Sequence, residues 1–404
     1  MKIVIVGAGV VGSILTRSLS ALPGIELVCL EKVSRDDQSE AGTGLNICPN
    51  AVKAMHGFDR ALHDVIDAAS LPWRSWRVSL TNGRELFNLP ISSVSQFHGW
   101  RIRWSELYRL LRDEAGPSVR FDCTILSFGA MLGGSQKTFV EWEEHGTRHR
   151  IDDIDLLIGA DGRYSAIRKH FSGAPPVTQI GVSIFRALVP DTSAGLIDDY
   201  EQWFNGHHRL LAFRVPPGHI YIAGTFPIDP NSTTAEALKT PEAIRAAYTP
   251  ADGPPGAQAQ WMIDIVSRDP AALHWARVQY ADIRFHEDTA NVLYLGDSAH
   301  GMVPTLGQGA TQAVEDACVA AALIRREWQA GRRDPQAWLA LIDDARRERV
   351  RYVMDLSLEA SDTILAGGDP VAGSLHKVEP DFLAKLERLY GDVHVPQVPD
   401  LATA

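Results

Sequence analysis

The chain opens with the apolar run KIVIV over Lys2–Val6, which leads into the glycine turn GAGVVG over Gly7–Gly12. A stretch with helical spacing follows over 13–20, and a second apolar strand runs over 25–30. Strand, tight turn, helix and strand in this order are typical of a nucleotide-binding βαβ unit with a parallel sheet. We therefore expect the rest of the chain to be organised around this unit.

Each glycine of the turn has its own role in this interpretation. Gly7 permits the turn, Gly9 lets a pyrophosphate approach the backbone, and Gly12 lets helix and strand pack closely. Val11 lies in the same turn. The helix that begins here offers free N–H groups and the positive end of its dipole, so the turn is a predicted phosphate site.

Glu31 ends the second strand, and Lys32 stands beside it. A carboxylate about 20 residues after the glycines accepts hydrogen bonds from the ribose of an adenosine. The turn, the helix and the acid together predict dinucleotide binding, and a glycine turn without function is the alternative. We expect no secretory signal, because three glycines and Arg17 interrupt the apolar run and no small-residue cleavage site follows.

The composition is that of an ordinary globular protein of 404 residues, long enough for two domains. A net charge of −11 without a basic stripe argues against nucleic acid and anionic membranes as partners, and no apolar run has the length of a membrane span. The four cysteines are scattered, which predicts buried thiols in a reducing cytoplasm. The histidines lack metal-ligand spacing, so we expect no metal site.

A second motif follows another buried strand. The strand ends in Gly-Ala-Asp161-Gly162, and Ser165 and Arg168 come next at helical spacing. The carboxyl ends of parallel strands meet at the ligand crevice of such a sheet. Asp161 is therefore expected either to bind a ribityl hydroxyl or to brace the loops.

A third motif ends a further buried strand with Gly296-Asp297. It continues through a loop containing Pro304 and Gly307-Gln308-Gly309, which opens a helix over about 310–327. A helix N-terminus flanked by glycines suits a ligand group that becomes anionic. This motif predicts a second helix end directed at the same ligand.

Two other segments favour antiparallel strands. Residues 73–97 alternate around a hairpin signal at 81–84, and strand-like runs separated by turn residues fill much of 175–285. The predicted fold is α/β: a Rossmann-type parallel sheet with helices, a mostly antiparallel β-sheet domain over the ligand site, and C-terminal helices. The predicted boundaries are 1–72, 98–175 and 286–330 for the first domain, 73–97 and 176–285 for the second, and 331–404 for the helical segment.

Some loop residues have two readings. Gly42 and Gly44 let backbone pass close to a flat ligand, or they belong to a plain loop. Arg101 and Arg103 precede a helix that Ser105 can cap. The two arginines are well placed to meet an anion, or they lie on the surface without function.

The three motifs in this order resemble the single-component FAD-dependent aromatic hydroxylases of the p-hydroxybenzoate hydroxylase type, over about residues 1–360. The resemblance implies non-covalently bound FAD, with NAD(P)H and O2 as co-substrates. Glu31 would bind the adenosine ribose, Ile125 would lie by the adenine, and Asp297 would bind the ribityl chain or the pyrophosphate. Asp161 and Arg168 would belong to a motif between the flavin and nicotinamide sites. The residues implied to line the flavin ring are Gly42, Gly44, Pro304, Gly307, Gln308 and Gly309.

The chain departs from the family at Trp104, where relatives usually carry an arginine that holds the cofactor. We expect Arg103 to take its place, with Arg101 as the second candidate. Gly-Asp-Ala-Ala-His of the relatives reads Gly-Asp-Ser298-Ala-His here, a change that looks harmless.

On the substrate side, Arg209 and Tyr221 are similar to a stretch of the family members that oxidise hydroxypyridine carboxylates, where an arginine and a tyrosine bind substrate. A hairpin would bring the two together on neighbouring strands. Arginine suits a planar carboxylate or ring oxyanion through paired hydrogen bonds, and tyrosine can orient a ring hydroxyl. The alternative is one surface arginine and one core tyrosine, and Arg186 is a third candidate.

The resemblance implies an enzyme that hydroxylates an electron-rich aromatic or N-heteroaromatic ring, itself hydroxylated and carboxylated, through a flavin C4a-hydroperoxide. We expect a cytoplasmic monomer or homodimer of aromatic catabolism, whose partners are the small aromatic substrate, O2 and NAD(P)H. The alternatives are a flavin-dependent dehydrogenase without oxygen transfer, a non-enzymatic flavin-binding protein, and a serine hydrolase using Ser298 and His300. The last fits poorly, because the GxSxG pattern fails at position 300.

Overall fold

The computed structural model describes residues 1–37, 43–133 and 135–398, so that Gly42 lies outside the described residues. Within these ranges the strands are, in chain order, β1 Lys2–Val6, β2 Glu26–Leu30, β3 Gly44–Ile47, β4 Leu71–Trp73, β5 Ser75–Leu80, β6 Glu85–Pro90, β7 Gly99–Arg103, β8 Val119–Arg120, β9 Cys123–Ala130, β10 Thr138–Glu144, β11 Thr147–Ile154, β12 Leu156–Gly159, β13 Val177–Pro190, β14 Tyr200–Asn205, β15 His208–Val215, β16 His219–Pro227, β17 His274–Ala281 and β18 Val292–Tyr294.

The α-helices of the same ranges are, again in chain order, α1 Val10–Leu19, α2 Pro49–Phe58, α3 Arg60–Ala69, α4 Trp104–Ala115, α5 Ala166–Ser172, α6 Pro241–Tyr248, α7 Ala257–Val266, α8 Gln308–Gln329, α9 Pro335–Glu359, α10 Pro370–His376 and α11 Pro380–Gly391. The chain also has short 3-10 turns, including one over Gly296–Ser298 at the start of the third motif. None of these helices is both long enough and apolar enough to cross a membrane.

The glycine turn belongs to a parallel sheet of five strands, in the order β18-β12-β1-β2-β8. The central strand β1 is buried along most of its length, as expected for a strand covered on both faces. Helix α1 packs against α4 and α8, and α8 also contacts α2 and α9. The carboxyl ends of β1, β12 and β18 therefore lie side by side, and each is followed by one of the three motifs.

A second sheet has seven strands, in the order β17-β13-β16-β15-β14-β5-β6. All its pairs are antiparallel except β5 with β14, which run parallel. Side chains alternate between its faces: Leu211 and Phe213 join the main core, whereas Leu210 and Ala212 join a second core under α6 and α7. One face of this sheet is thus turned towards the parallel-sheet region.

Two sheets of three strands complete the fold. The antiparallel strands β9, β10 and β11 form one of them, and β11 contacts β1. The other has the order β3-β7-β4, and its central strand β7 contacts β15 of the seven-stranded sheet. The strand β7 therefore connects this small sheet with the seven-stranded sheet.

The α/β fold class expected from the sequence is confirmed. The parallel sheet draws its strands from the segments 1–72, 98–175 and 286–330, and the seven-stranded sheet draws its strands from 73–97 and 176–285. We therefore propose the same boundaries for two domains, with 331–404 as a helical segment.

One helix start differs from the prediction. Helix α4 begins at Trp104, with Arg103 at the N-cap position, so Ser105 lies inside the first turn and does not cap it. The Trp104 amide donates a hydrogen bond to the Thr43 carbonyl oxygen at 3.1 Å instead. The helix can start directly from β7 because this tertiary contact satisfies one of its free N–H groups.

Two other expectations concern the cysteines and the tail. All four cysteines are buried and unpaired, as predicted. The tail after Gly367, for which the sequence pattern predicts nothing, forms α10 and α11.

Candidate active site

The glycine turn after β1 is tightly built. Gly7 has a φ of +99°, and a Cβ atom there would lie 2.4 Å from the Ala160 carbonyl oxygen. A Cβ at Gly12 would lie 1.8 Å from the Gly7 carbonyl oxygen, so α1 can approach β1 this closely because residue 12 is glycine. For Gly9 the nearest atoms to such a Cβ belong to Tyr108, the first at 3.5 Å. The outer side of the turn is thus open backbone beside the Tyr108 ring.

The N-terminus of α1 starts at this turn. Within the described ranges no side chain caps it, and its first turn holds no acidic residue. The Ser13 amide donates to the Gly9 carbonyl oxygen at 3.1 Å, which leaves the N–H groups of the preceding residues to a ligand. The buried Val11 packs against the third motif, since a Cβ at Gly296 would lie 3.0 Å from its methyl group.

Glu31 lies at the end of β2 and is buried. Its carboxylate accepts hydrogen bonds from the Ala8 amide at 2.6 Å and from the Val33 amide at 3.2 Å. The side chain is therefore held against the glycine turn, where its remaining lone pairs are available to a ribose. Lys32 is exposed beside it.

Arg112 is a residue of this region that the sequence reasoning missed. Its Nε donates to the Ala8 carbonyl oxygen at 3.1 Å, and its guanidinium lies 3.8 Å from the Glu31 carboxylate. The guanidinium also lies 5.0 Å from the centre of the Tyr108 ring. The sequence contains a pattern that could have indicated this contact, because Tyr108 and Arg112 stand four residues apart and share one face of α4.

Arg103 and Arg101 differ in what they contact. Arg103 ends β7 opposite Gly44, and its buried Nε has no hydrogen-bond partner among residues 1–37, 43–133 and 135–398. Arg101 donates to the Pro72 carbonyl oxygen at 3.0 Å and lies 3.3 Å from the Asp199 carboxylate. These contacts make Arg101 a link between β4 and the loop before β14. Arg103 therefore remains the candidate to replace the cofactor-binding arginine that relatives carry at the position of Trp104.

The second motif braces its own loop and the third motif. Asp161 accepts hydrogen bonds from the Ala166 and Ile167 amides at 2.8 and 3.2 Å, which caps α5, while its Oδ1 is buried without a described partner. Burial raises the pKa of this carboxyl group. The Arg168 guanidinium donates to the carbonyl oxygens of Ser298 and Ala299 at 3.0 and 2.9 Å. The second motif thus holds the third in place.

The third motif is anchored from α8. Gly296 has a φ of +64°, and its amide donates to the Asp316 carboxylate at 2.8 Å. Asp297 is exposed in the cleft, although the surrounding protein raises the pKa of its carboxyl group by desolvation. A Cβ at Gly309 would lie 3.8 Å from the Asp297 Oδ1, so Asp297 and the N-terminus of α8 face the same space.

The loop before α8 forms the second open helix end. Gly307 caps the helix with a left-handed backbone, φ +67°, and no described side chain or acidic residue neutralises the first turn. Pro304 is exposed at the start of the loop. Gln308 is buried, and its Oε1 accepts hydrogen bonds from Asn50 at 2.9 Å and Gln312 at 3.1 Å, which leaves its Nε2 without a partner in the described part of the chain.

The serine-hydrolase alternative is excluded by geometry. The Ser298 hydroxyl donates to the Gly159 carbonyl oxygen at 2.6 Å and is fully buried. The His300 Nε2 faces the Asp316 carboxylate at 2.5 Å. The two side chains serve separate structural contacts and form no nucleophile–base pair.

Arg209 and Tyr221 lie on paired strands, β15 and β16, but not directly opposite one another. Arg209 pairs with Thr225 and Tyr221 pairs with Phe213, four positions along the same face. Both side chains are buried. A Cβ at Gly44 would lie 2.6 Å from the Tyr221 Cβ, so Tyr221 contacts the loop implied to pass the flavin.

A narrow cavity lies between the seven-stranded sheet and the loop before α8. Among the residues that line it are Gln202, Arg209, Thr305, Leu306, Thr363 and Lys377. Arg209 is 4% exposed, its Nε has no hydrogen-bond partner, and no carboxylate of the described chain pairs with it. Gln202, Thr363 and Lys377 were missed from sequence, because Gln202 lies in an ordinary strand pattern and the other two lie in the tail.

The remaining predicted residues, Ile125 and Arg186, have fewer contacts that would define a role. Ile125 is partly buried on β9, and Arg186 lies on β13 opposite Ala223, on the face of the sheet that carries Tyr221. Arg186 also contributes to lowering the pKa of Asp297 against the effect of burial. In the described part of the chain, no three His, Cys, Asp or Glu side chains are grouped to hold a metal ion.

The cleft fits FAD. Two uncapped helix N-termini, those of α1 and α8, face it and suit the phosphates and the electron-rich edge of a reduced flavin. Three buried polar atoms in or beside the motifs lack described partners, namely Oδ1 of Asp161, Oδ1 of Asn46 and Nε2 of Gln308. A ligand rich in donors and acceptors would satisfy such atoms.

The family comparison agrees with this geometry. The model of the FAD binding domain family matches residues 1–357. The chain belongs to this family. Its cofactor is FAD, and the resemblance to the FAD-dependent aromatic hydroxylases is confirmed.

Curated relatives of this FAD-binding family member include a quinolone synthase and an aromatic hydroxylase. The 2-heptyl-3-hydroxy-4(1H)-quinolone synthase of Pseudomonas aeruginosa is 26% identical, over 87% of each chain. The salicylate hydroxylase of Pseudomonas putida is 27% identical, over 95% of this chain and 90% of the relative. The chain is accordingly an FAD-dependent monooxygenase.

A solved structure supports the fold. HpxO of Klebsiella pneumoniae, complexed with FAD and uric acid, superimposes with a TM-score of 0.75 at 22% identity, over 97% of this chain and 94% of that chain. The similarity covers both large sheets, and it shows that the whole architecture recurs in a protein crystallised with FAD.

Proposed function

We propose that this FAD-dependent monooxygenase hydroxylates an electron-rich aromatic or N-heteroaromatic ring that carries an anionic substituent. One observation supports the substrate class: the buried Arg209 guanidinium has no counter-charge in the described chain and lines the same cavity as Thr305 and Leu306. These two residues belong to the loop that leads into the N-terminus of α8. A carboxylate or ring oxyanion in the cavity would pair with Arg209 beside the flavin position.

Arg209, which lines the cavity, and Tyr221, which lies on the same face of the sheet, have separate roles in this proposal. Bound FAD would supply the redox chemistry, namely reduction by NAD(P)H and activation of O2. Arg209 binds the anionic substituent. Burial raises the pKa of Tyr221, so this side chain stays protonated and can donate a hydrogen bond that orients the ring. The seven-stranded sheet excludes water from the ring.

The FAD contacts are part of the same proposal. Glu31 would hold the ribose, the α1 N-terminus the phosphates, and Asp297 with Gly307–Gly309 the flavin side. Arg103 would supply a positive charge where relatives carry an arginine at the position of Trp104. A cytoplasmic location is also proposed, and the four unpaired buried thiols support it. The oligomeric state is proposed to be monomer or homodimer.

A spectrum and an assay test this function. The purified protein should be yellow, and the rate of NADH or NADPH oxidation should rise sharply with one member of a panel of phenols, salicylates and hydroxypyridine carboxylates. Isotopically labelled O2 should add one labelled oxygen atom to the product. A ring that stimulates oxidation without gaining labelled oxygen would identify a dehydrogenase or an uncoupled effector, and a protein that cannot be reconstituted with FAD would contradict the whole proposal.

A further inference from the structure

The similarities leave the substrate of this chain open. The relatives and the solved structure are named for a quinolone, salicylate and uric acid. The family match ends at residue 357, yet the chain continues through α10 and α11. Residues of this continuation line the Arg209 cavity, among them Thr363, Ser374 and Lys377. The part of the wall that lies outside the family match is a natural place for specificity.

Arg209 alone already indicates an anionic ligand. Its side chain is more than nine-tenths buried, and within the described ranges it has no hydrogen-bond or ion-pair partner. A buried charge without a partner is unfavourable unless a ligand supplies one. The guanidinium therefore points to an anion that arrives with the substrate.

Lys377 brings a second cation to the same cavity. It follows α10, is 4% exposed, and its Nζ donates to the Asp362 carboxylate at 2.7 Å and to the Gly373 carbonyl oxygen at 3.0 Å. An ammonium group has three donors, so one remains for a ligand. Burial lowers the pKa of Lys377 and Arg209 lowers it further, whereas Asp362 and Glu359 oppose this shift.

The charges around the cavity do not balance. Asp362 is the carboxylate paired with Lys377, and its side chain is 46% exposed, whereas Arg209 and Lys377 are both buried. The Glu359 carboxylate also favours the charged form of Lys377, but no carboxylate of the described chain pairs with Arg209. The cavity carries an excess positive charge that a substrate anion would neutralise.

We propose that Lys377 is a substrate-binding residue and that it acts with Arg209 to select rings carrying a carboxylate or an equivalent anion. This inference rests on the proposed function and deepens it, because it assigns substrate selection to the tail beyond the family match. The amine would donate its free hydrogen bond to the anion that Arg209 also binds.

Matched probes test the proposal on the FAD-loaded protein. Salicylate and phenol form one pair, and 6-hydroxynicotinate and 2-hydroxypyridine form another; each pair differs by the carboxylate. Dissociation constants are measured from the change in flavin absorbance on binding. We expect Lys377→Met to weaken binding of the carboxylated probe of each pair by about tenfold or more, as for the loss of a hydrogen bond to a charged group. The dissociation constant of the probe without the carboxylate should not change. Lys377→Arg should retain the preference.

Lys385→Met is the matched control, because Lys385 lies in the same segment and pairs with Glu359 at an exposed site. It should bind all four probes like the wild type. A further variant works in the opposite direction: Asp362→Asn removes the counter-charge of Lys377 and should tighten binding of the carboxylated probes several-fold. A misfolded protein would not produce this gain.

The outcomes separate this inference from the proposed function. The role of Lys377 is overturned if Lys377→Met weakens binding of both probes of a pair equally, or if Asp362→Asn does not bind the carboxylated probes more tightly. The proposed function still stands in that case, provided that the wild type hydroxylates a ring. A wild-type protein that oxidises NAD(P)H without hydroxylating any ring overturns the proposed function itself.

Discussion

Arg209 shows how one residue links stability and function. An arginine inside a sheet domain normally pairs with a carboxylate, but this one faces the cavity without such a partner in the described chain. The folded protein bears the cost of an unpaired buried charge, which falls when an anionic substrate binds. Substrate affinity and the stability of the ligand-free protein should therefore respond to this side chain in opposite ways.

The Arg209→Gln variant tests this opposition. The dissociation constant for a carboxylated probe should rise about tenfold or more, the effect of losing a hydrogen bond to a charged group. The melting temperature of the ligand-free protein should stay the same or rise. Arg214→Gln on the same strand is the control, because Arg214 is 43% exposed and pairs with Asp198. A parallel loss of affinity in both variants would contradict the assignment.

A comparison of Gly307 with Gly331 can separate the effect of backbone strain from an effect on cofactor binding. Its φ of +67° costs a residue with a Cβ about 1–2 kcal/mol, and the new atom would lie 3.2 Å from the Asn46 carbonyl oxygen. Gly331, just beyond the other end of α8, has a φ of +75° with open space around it.

We expect Gly307→Ala and Gly331→Ala to lower the melting temperature to a similar extent. Gly307→Ala alone should weaken FAD binding, by about five- to thirtyfold if the strain of 1–2 kcal/mol is relieved only by moving the loop. Fluorescence titration of the apoprotein with FAD measures this. Equal FAD affinity in the two variants would remove Gly307 from the cofactor site.

At the scale of elements, helices α8 and α9 are joined by a buried charge network. Arg346 on α9 donates to Asp316 at 2.7 Å and to Glu315 at 2.9 Å, and all three side chains are at most 3% exposed. Asp316 in turn accepts the Gly296 amide and faces His300. The network thus connects the C-terminal helices to the third motif of the cleft.

Breaking this network should be costly. Arg346→Met removes the cation that Glu315 and Asp316 share, leaving Glu315 with Arg349 and Asp316 with His300, and we expect a loss of about 3–5 kcal/mol in the free energy of unfolding. Arg351→Met is the control on the same helix, because Arg351 forms an exposed pair with Glu348 and should cost about 1 kcal/mol or less. Denaturant titration compares them, and similar losses in both would contradict the network's role.

At the scale of the whole molecule, the same network determines how stability depends on pH. Despite burial, Arg349 and Arg346 lower the pKa of Glu315 to about 2, and His300 and Arg346 lower the pKa of Asp316 to about 2. The unfolded chain binds these two protons near the ordinary values of 4.5 and 3.8. Between those values and about pH 2 the unfolded state holds more protons, so stability rises with pH across this window.

We therefore expect these groups to stabilise the protein fully above about pH 4.5, and their contribution to fall towards pH 2, with a slope of up to about 1.4 kcal/mol per pH unit for each carboxyl group. Glu315→Gln removes one group, so the free energy of unfolding should depend less steeply on pH in this window. Denaturant titrations at several pH values test this. An unchanged slope would show that other carboxylates dominate.

The fold of the whole molecule also shows which of its features can be predicted from the sequence. The glycine turn with its flanking strands, and the two Gly-Asp motifs after buried strands, were recognisable because turns and buried strands leave local patterns. The cap at Ser105 was predicted wrongly, because the Trp104 amide finds its partner at Thr43, a contact that local pattern does not contain.

The sequence by itself determined the βαβ unit, the α/β class and the three motifs of the FAD cleft, since each depends on glycines and strand residues that are neighbours in the chain. The tertiary structure alone decided that Arg112 stands beside Glu31, that Arg101 contacts Pro72 and Asp199, and that Arg209 and Lys377 line one cavity. These arrangements join residues from distant elements. Their distances follow from how sheets and helices pack, and packing has no local signature in the order of the amino acids.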